Sequence, residues 1–234
     1  MAQPESAFGE TAKNAFDFYN TYLSVIYGLL ATQGLTSVVD FTSKDDEQVW
    51  NLLSILLFAG IFLTVMRLWF NLANIDELTR RAYELAASSK HSKFNFLLMV
   101  DLVFATAFAG LSLAMFKAIP SEISFFGLFL WLGALYLLYD LFSGFLFYRF
   151  TKGIDETANC QEIVEKYKGK VRKWIKQDFG FATAATVLYF TALALKRDNS
   201  VTLASAFVLL AAVQLVVELF PHWGDVISKS SGRA

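Results

Sequence analysis

The chain is short of the residues on which soluble enzymes and secreted domains rely. It has one cysteine, Cys160, so no disulfide framework can form within it. A reactive thiol needs an electropositive, accessible site, and a lone cysteine in a polar joint reads as inert. Only three prolines occur in 234 residues, so long stretches contain nothing that breaks a helix. Charged residues make up 18%, against about 25% in an ordinary globular domain. The two histidines, His91 and His222, lie far apart and show no HExxH spacing, which excludes the common metal motif. There is no GxSxG, no glycine-rich phosphate loop and no CxxCH. A hydrolase would need a nucleophile beside a base, and a Schiff base would need a lysine inside an apolar run; neither is present. No catalytic residue, metal ligand or cofactor is therefore assigned. A formal net charge of -1 argues against a nucleic-acid face.

What the chain has is apolar surface. Hydrophobic residues make up 56% and aromatics 16%, with 24 phenylalanines. They fall into six runs, about 18–39, 49–73, 96–119, 123–148, 179–195 and 201–220. Each has roughly the 17–25 residues that a helix needs to cross hydrocarbon. The first is the weakest, because Asn20, Thr21, Thr32 and Gln33 interrupt it. No run alternates with period two, so barrel strands are excluded. The expected fold class is all-α: a single polytopic membrane bundle of about six transmembrane helices. Residues 1–13 have no basic start or short apolar run of a signal peptide, so the first span is expected to be its own insertion signal.

The polar joints orient the bundle. The joint between spans two and three holds Arg80, Arg81, Lys90 and Lys93. The joint between spans four and five holds Lys152, Lys166, Lys168, Lys170, Arg172, Lys173 and Lys176. The other joints are short and poor in base. Positively charged loops stay inside, which predicts that both termini and both basic joints are cytoplasmic. Trp69, Trp174 and Trp223 fall near that boundary and Trp50 near the other, as an aromatic belt would. By default the membrane is a bacterial inner, plasma membrane. The segments 75–87 and 155–167 are rich in strong helix formers, so the second and fourth helices are expected to run on past the bilayer. The basic run before span five could rest on anionic headgroups or serve as a solvated face.

An internal repeat shows in the third and fifth spans. One opens Asp101-Leu-Val-Phe104-Ala105-Thr106-Ala107, the other Asp178-Phe-Gly-Phe181-Ala182-Thr183-Ala184. The fourth and sixth carry Asp140-Leu-Phe142 and Glu218-Leu-Phe220 at matching distances. The pattern reads as three tandem helical hairpins related by an axis along the membrane normal, with Asp17 in the place of Asp101 and Asp178.

The candidate site is the set of ionisable residues within the spans: Arg67, Asp101, Asp140, Asp178 and Glu218. All lie in the cytoplasmic half. An unpaired charge there costs about 2–3 kcal/mol on insertion scales, so these side chains are expected to face inward and meet. Arg67 is expected to pair with Asp101 or Asp140, since its fork can hold two carboxylates. Thr106 and Thr183 could line a pathway or bond their own helix backbone. Gln214, Asn51 and Ser54 read as interhelical glue, and Gly60, Gly127, Gly133 and Ala134 as close-packing positions.

Two function classes fit. One is a small channel or transporter for protons, cations or a small solute, working through the carboxylate layer. The other is a non-catalytic membrane scaffold, sensor or assembly subunit that binds a partner through its cytoplasmic helical joints. The expected surroundings are the lipid bilayer, with a homo-oligomer or a membrane or cytoplasmic protein as partner.

Overall fold

The computed structural model describes residues 17–34, 36, 52–73, 77–87, 91–119, 122–152, 158–195 and 200–231. Among them there are helices and no strand. α1 covers 17–34. It is followed by α2 (Leu52–Ala73), α3 (Glu77–Ala87), α4 (His91–Ala118), α5 (Glu122–Thr151), α6 (Ala158–Ala194) and α7 (Ser200–Ser231). Two segments are long and apolar enough to cross a membrane: Asn95–Ala118, with a mean hydropathy of 2.1, and Ile123–Thr151, with 1.8. The apolar helices Leu52–Leu68 and Val201–Val217 are shorter.

α4 and α5 match spans three and four to within a few residues. α6 does not match span five. It starts at Ala158 and runs for 37 residues, about 55 Å at 1.5 Å per residue. The basic joint is thus the first half of the fifth long helix, and α5 stops at Thr151. The reason is local: 158–178 contains no Pro and one Gly, so nothing separates the charged stretch from the apolar one. The joint after α2 forms its own short helix, α3, whose Ala82 is fully buried and whose Thr79 accepts from Lys170 Nζ of α6 at 2.9 Å.

Packing departs from the tandem hairpins. α5 packs chiefly on α6 and also on α4, while α7 lies along α2 and touches α6 only lightly. The α4/α5 pair is a tight hairpin and the α6/α7 pair is not. Asp17 is exposed on α1, whereas Asp101 and Asp178 are buried, so the first hairpin does not repeat their environment. α1 instead buries Tyr19, Leu23, Tyr27 and Leu30 and meets α4 where the Tyr22 hydroxyl and Thr106 Oγ1 share a 2.9 Å hydrogen bond.

Close approach uses small residues. A Cβ on Gly133 of α5 would stand 3.1 Å from the backbone Cα of Ala182 on α6. Backbone cannot rotate aside as a side chain can. Gly133→Leu is therefore expected to pry α5 from α6 and to cost about 1–3 kcal/mol, as overpacking does. Thermal unfolding should show it, and an unchanged midpoint would mean that the helices slide apart freely.

The core between the helices is aromatic. Phe125, Phe126, Phe129 and Phe207 are fully buried, and Phe207 meets the other three rings at centroid distances of 5.2, 6.4 and 4.6 Å, edge to face. That is the arrangement ring quadrupoles favour. Many large apolar side chains face outward: Trp131 is 69% exposed, Leu209 65% and Phe179 63%. Arg67, Asp101, Asp140 and Asp178 lie inside.

Candidate functional site

Arg67, six residues before the end of α2, is only 2% exposed. Its Nη2 donates to Asp178 Oδ1 of α6 at 2.8 Å, and Nη1 donates to Gln214 Oε1 of α7 at 3.2 Å. The guanidinium carbon lies 4.4 Å from the Tyr136 ring centre of α5 and 5.2 Å from that of Phe181 on α6. One cation therefore ties four helices by charge, hydrogen bond and ring face. The planar fork matters here, since a lysine would present no flat face to the two rings.

Asp101 and Asp140 gather around Tyr139. The Tyr139 hydroxyl donates to Asp101 Oδ1 at 3.0 Å and lies within electrostatic reach of Asp140 and Tyr19 as well. Asp140 is one helical turn beyond Tyr136, the residue under the Arg67 guanidinium, so both point from the same face of α5. Asp101, Asp140 and Asp178 are all at most 5% exposed. Even a guanidinium shared by all three carboxyl groups would leave this layer with more acid than base. Chain geometry explains how it is assembled: each aspartate interrupts an apolar helix, and its own face turns inward because the opposite face is greasy.

The candidate residues thus come together in part. Arg67 and Asp178 are in direct contact. Asp101 and Asp140 share Tyr139. The side chain of Glu218 lies outside the described residues, as do those of His91, His222, Trp69 and Trp223. Arg67 was expected to meet Asp101 or Asp140; Asp178 is a partner that expectation did not name, at 2.8 Å, brought to that height by the uninterrupted α6. Gln214 does join helices, through Arg67. Thr106 and Thr183 donate to the carbonyls of Leu102 and Phe179, four residues back, and Thr106 is also hydrogen-bonded to Tyr22 of α1. The aromatic partners, Tyr136, Tyr139 and Phe181, were missed. Tyr136 and Phe181 carried a signal, in their i, i+4 and i, i+3 spacing to Asp140 and Asp178; Tyr139, adjacent to Asp140, carried none.

A groove of about 500 Å³ lies between α1, α2 and α4, lined by Tyr27, Leu30, Phe58, Phe62 and Phe116, with no acidic or basic residue in its wall. It is separate from the charged layer. Among the described residues no three His, Cys, Asp or Glu side chains cluster as a metal site would require. No protein-family model, curated protein or solved structure matches the chain.

Proposed function

We propose that the protein is a multi-pass membrane protein that carries protons or small cations through the carboxylate layer of Asp101, Asp140 and Asp178. The observation behind it is the inverted polarity: acidic groups and one arginine inside, large apolar side chains outside. In water that arrangement wastes hydrophobic burial. In lipid it is what helices do, since charged groups turn toward the bundle. The three carboxyl groups against one guanidinium supply the chemistry. Three carboxyl groups outnumber the one guanidinium, and an excess of one sign is costly in a bundle interior, so a proton or a cation belongs in the balance. The exchange of that proton or cation is the transport step. On this reading the spans beyond α4 and α5 are completed by α1, α2, α6 and α7, both termini face the cytoplasm, and the plasma membrane is the site of action. No catalytic role is assigned.

A second reading, a membrane scaffold whose charged layer only fixes helix register, is favoured by one feature. Arg67 is enclosed by two rings and holds Asp178 directly, as a clamp would. Purified protein in liposomes with an entrapped pH dye separates the two. Transport predicts acidification that falls about tenfold or more in Asp101→Asn and in Asp140→Asn while both variants still fold. Absence of flux from the parent protein, for protons and for alkali cations alike, would leave the scaffold.

A further inference from the structure

The first half of α6 carries six cations, and the protein treats them in three ways. Lys166 Nζ pairs with Glu162 at 2.6 Å, and Lys168 Nζ pairs with Glu165 at 2.7 Å. These bonds hold both glutamates below the usual carboxylate range. Lys170 donates to Thr79 and lies 4.5 Å from the Trp174 ring centre. Arg172, Lys173 and Lys176 are exposed and hold no ion pair among the described residues. Glu165, the last glutamate of the helix, lies nearly four turns before the chain turns apolar at Phe179.

The three cations share one stripe. At 100° per residue, positions 172, 173 and 176 continue into exposed 179, 187 and 190, which are Phe179, Val187 and Phe190. The three basic positions span about 6 Å of helix axis, the size of one phosphate-bearing headgroup. Their height is fixed by α5, where Gly144 faces Val171 and Gly133 faces Ala182. This antiparallel register sets Arg172 level with Ser143 and Lys176 level with Tyr139. At that level α5 exposes Leu141, Phe142 and Phe145. The cations therefore lie at the height of exposed apolar side chains of α5 instead of above them, where a solvated cytoplasmic face would put them.

We propose that Arg172, Lys173 and Lys176 form a binding site for the headgroup of an anionic phospholipid, with its acyl chains laid along Phe179, Val187 and Phe190. The site rests on the membrane reading but not on transport. It adds lipid selectivity: a zwitterionic headgroup gives the stripe no net counter-charge, an anionic one does. Each cation near a charged lipid surface contributes a factor of about five to partitioning.

Native mass spectrometry of the purified full chain, with equal phosphatidylglycerol and phosphatidylcholine in the detergent, tests it. The parent should retain phosphatidylglycerol preferentially, and added salt should weaken the preference, since surface charge is screened. Arg172→Gln/Lys173→Gln/Lys176→Gln should reduce it about tenfold or more. Lys166→Gln/Lys168→Gln, which removes two cations already paired within the helix, should leave it unchanged. Equal retention of the two lipids by the parent, a salt-insensitive preference, or equal loss in both variants would overturn the proposal. A carbonate wash of cell membranes tests the membrane reading by itself: release of the parent protein would sink that reading, whereas retention with no lipid preference would sink only the site.

Discussion

Replacing Arg67 by leucine is expected to produce one of the two largest losses of stability of any single change in this protein. Leucine keeps the inner apolar stem but leaves the space between the Tyr136 and Phe181 rings unfilled, so part of the loss is packing. The rest is charge: Asp178, buried and bonded to Arg67 at 2.8 Å, is left without its guanidinium, and Gln214 loses its donor. Removing one partner of a buried ion pair costs about 3–5 kcal/mol, because the other charge stays in a medium that cannot solvate it. For a chain of this length that is a fall of roughly 6–20 °C in apparent melting temperature. Adding Asp178→Asn should recover much of the loss, since the stranded charge disappears. Asp140→Asn in the same background should recover less if Asp178 is the principal partner. Melting curves of the four proteins in one detergent decide it. An Arg67→Leu protein as stable as the parent would show that the layer adjusts its protonation at no cost, and the clamp would be discarded. Recovery by Asp140→Asn greater than that by Asp178→Asn would reassign the partner.

The choice between these carboxylates shows where sequence stops being readable. That Arg67, Asp101, Asp140 and Asp178 would be buried followed from one argument: a charge inside an apolar helix must turn from the greasy side. The structure buries all four. Which of them meet depends on relative height, and height was counted from the ends of the apolar runs. That count works for α4 and α5, whose polar and helical boundaries nearly coincide. It fails for α6, where the helix begins about twenty residues before its apolar part, so the end of the run marks nothing in the backbone. Neighbour choice is the second failure. Short joints imply that consecutive helices pack together, yet α7 prefers α2 over α6. The signal that fixes this is complementary shape, a glycine on α2 opposite a phenylalanine on α7, and a single chain states both halves without saying that they belong together. Gly60 could be read as a contact point; Phe207 could not be read as its partner.

That contact carries the second large effect. Phe207 is fully buried, its ring set against Phe125, Phe126 and Phe129, and a Cβ placed on Gly60 would overlap that ring. The ring cannot swing away, because three others hold it edge to face. Phe207→Ala should cost about 3–5 kcal/mol, the usual range for emptying a buried aromatic site. Part of that cost is lost dispersion, which persists whether the solvent is water or lipid. Gly60→Ala alone should cost about 1–3 kcal/mol through overpacking. The two changes act on the same space, so their effects should not add. In the Phe207→Ala background the ring is gone, the new methyl enters the void, and Gly60→Ala should turn from harmful to neutral or mildly stabilising. The coupling energy from the four-protein cycle should then be about 1–3 kcal/mol, of the size expected for residues in contact. A cycle that sums to zero would mean that α2 and α7 do not meet at this point, and with it would go the packing of α7 on α2 that brings Gln214 within reach of Arg67.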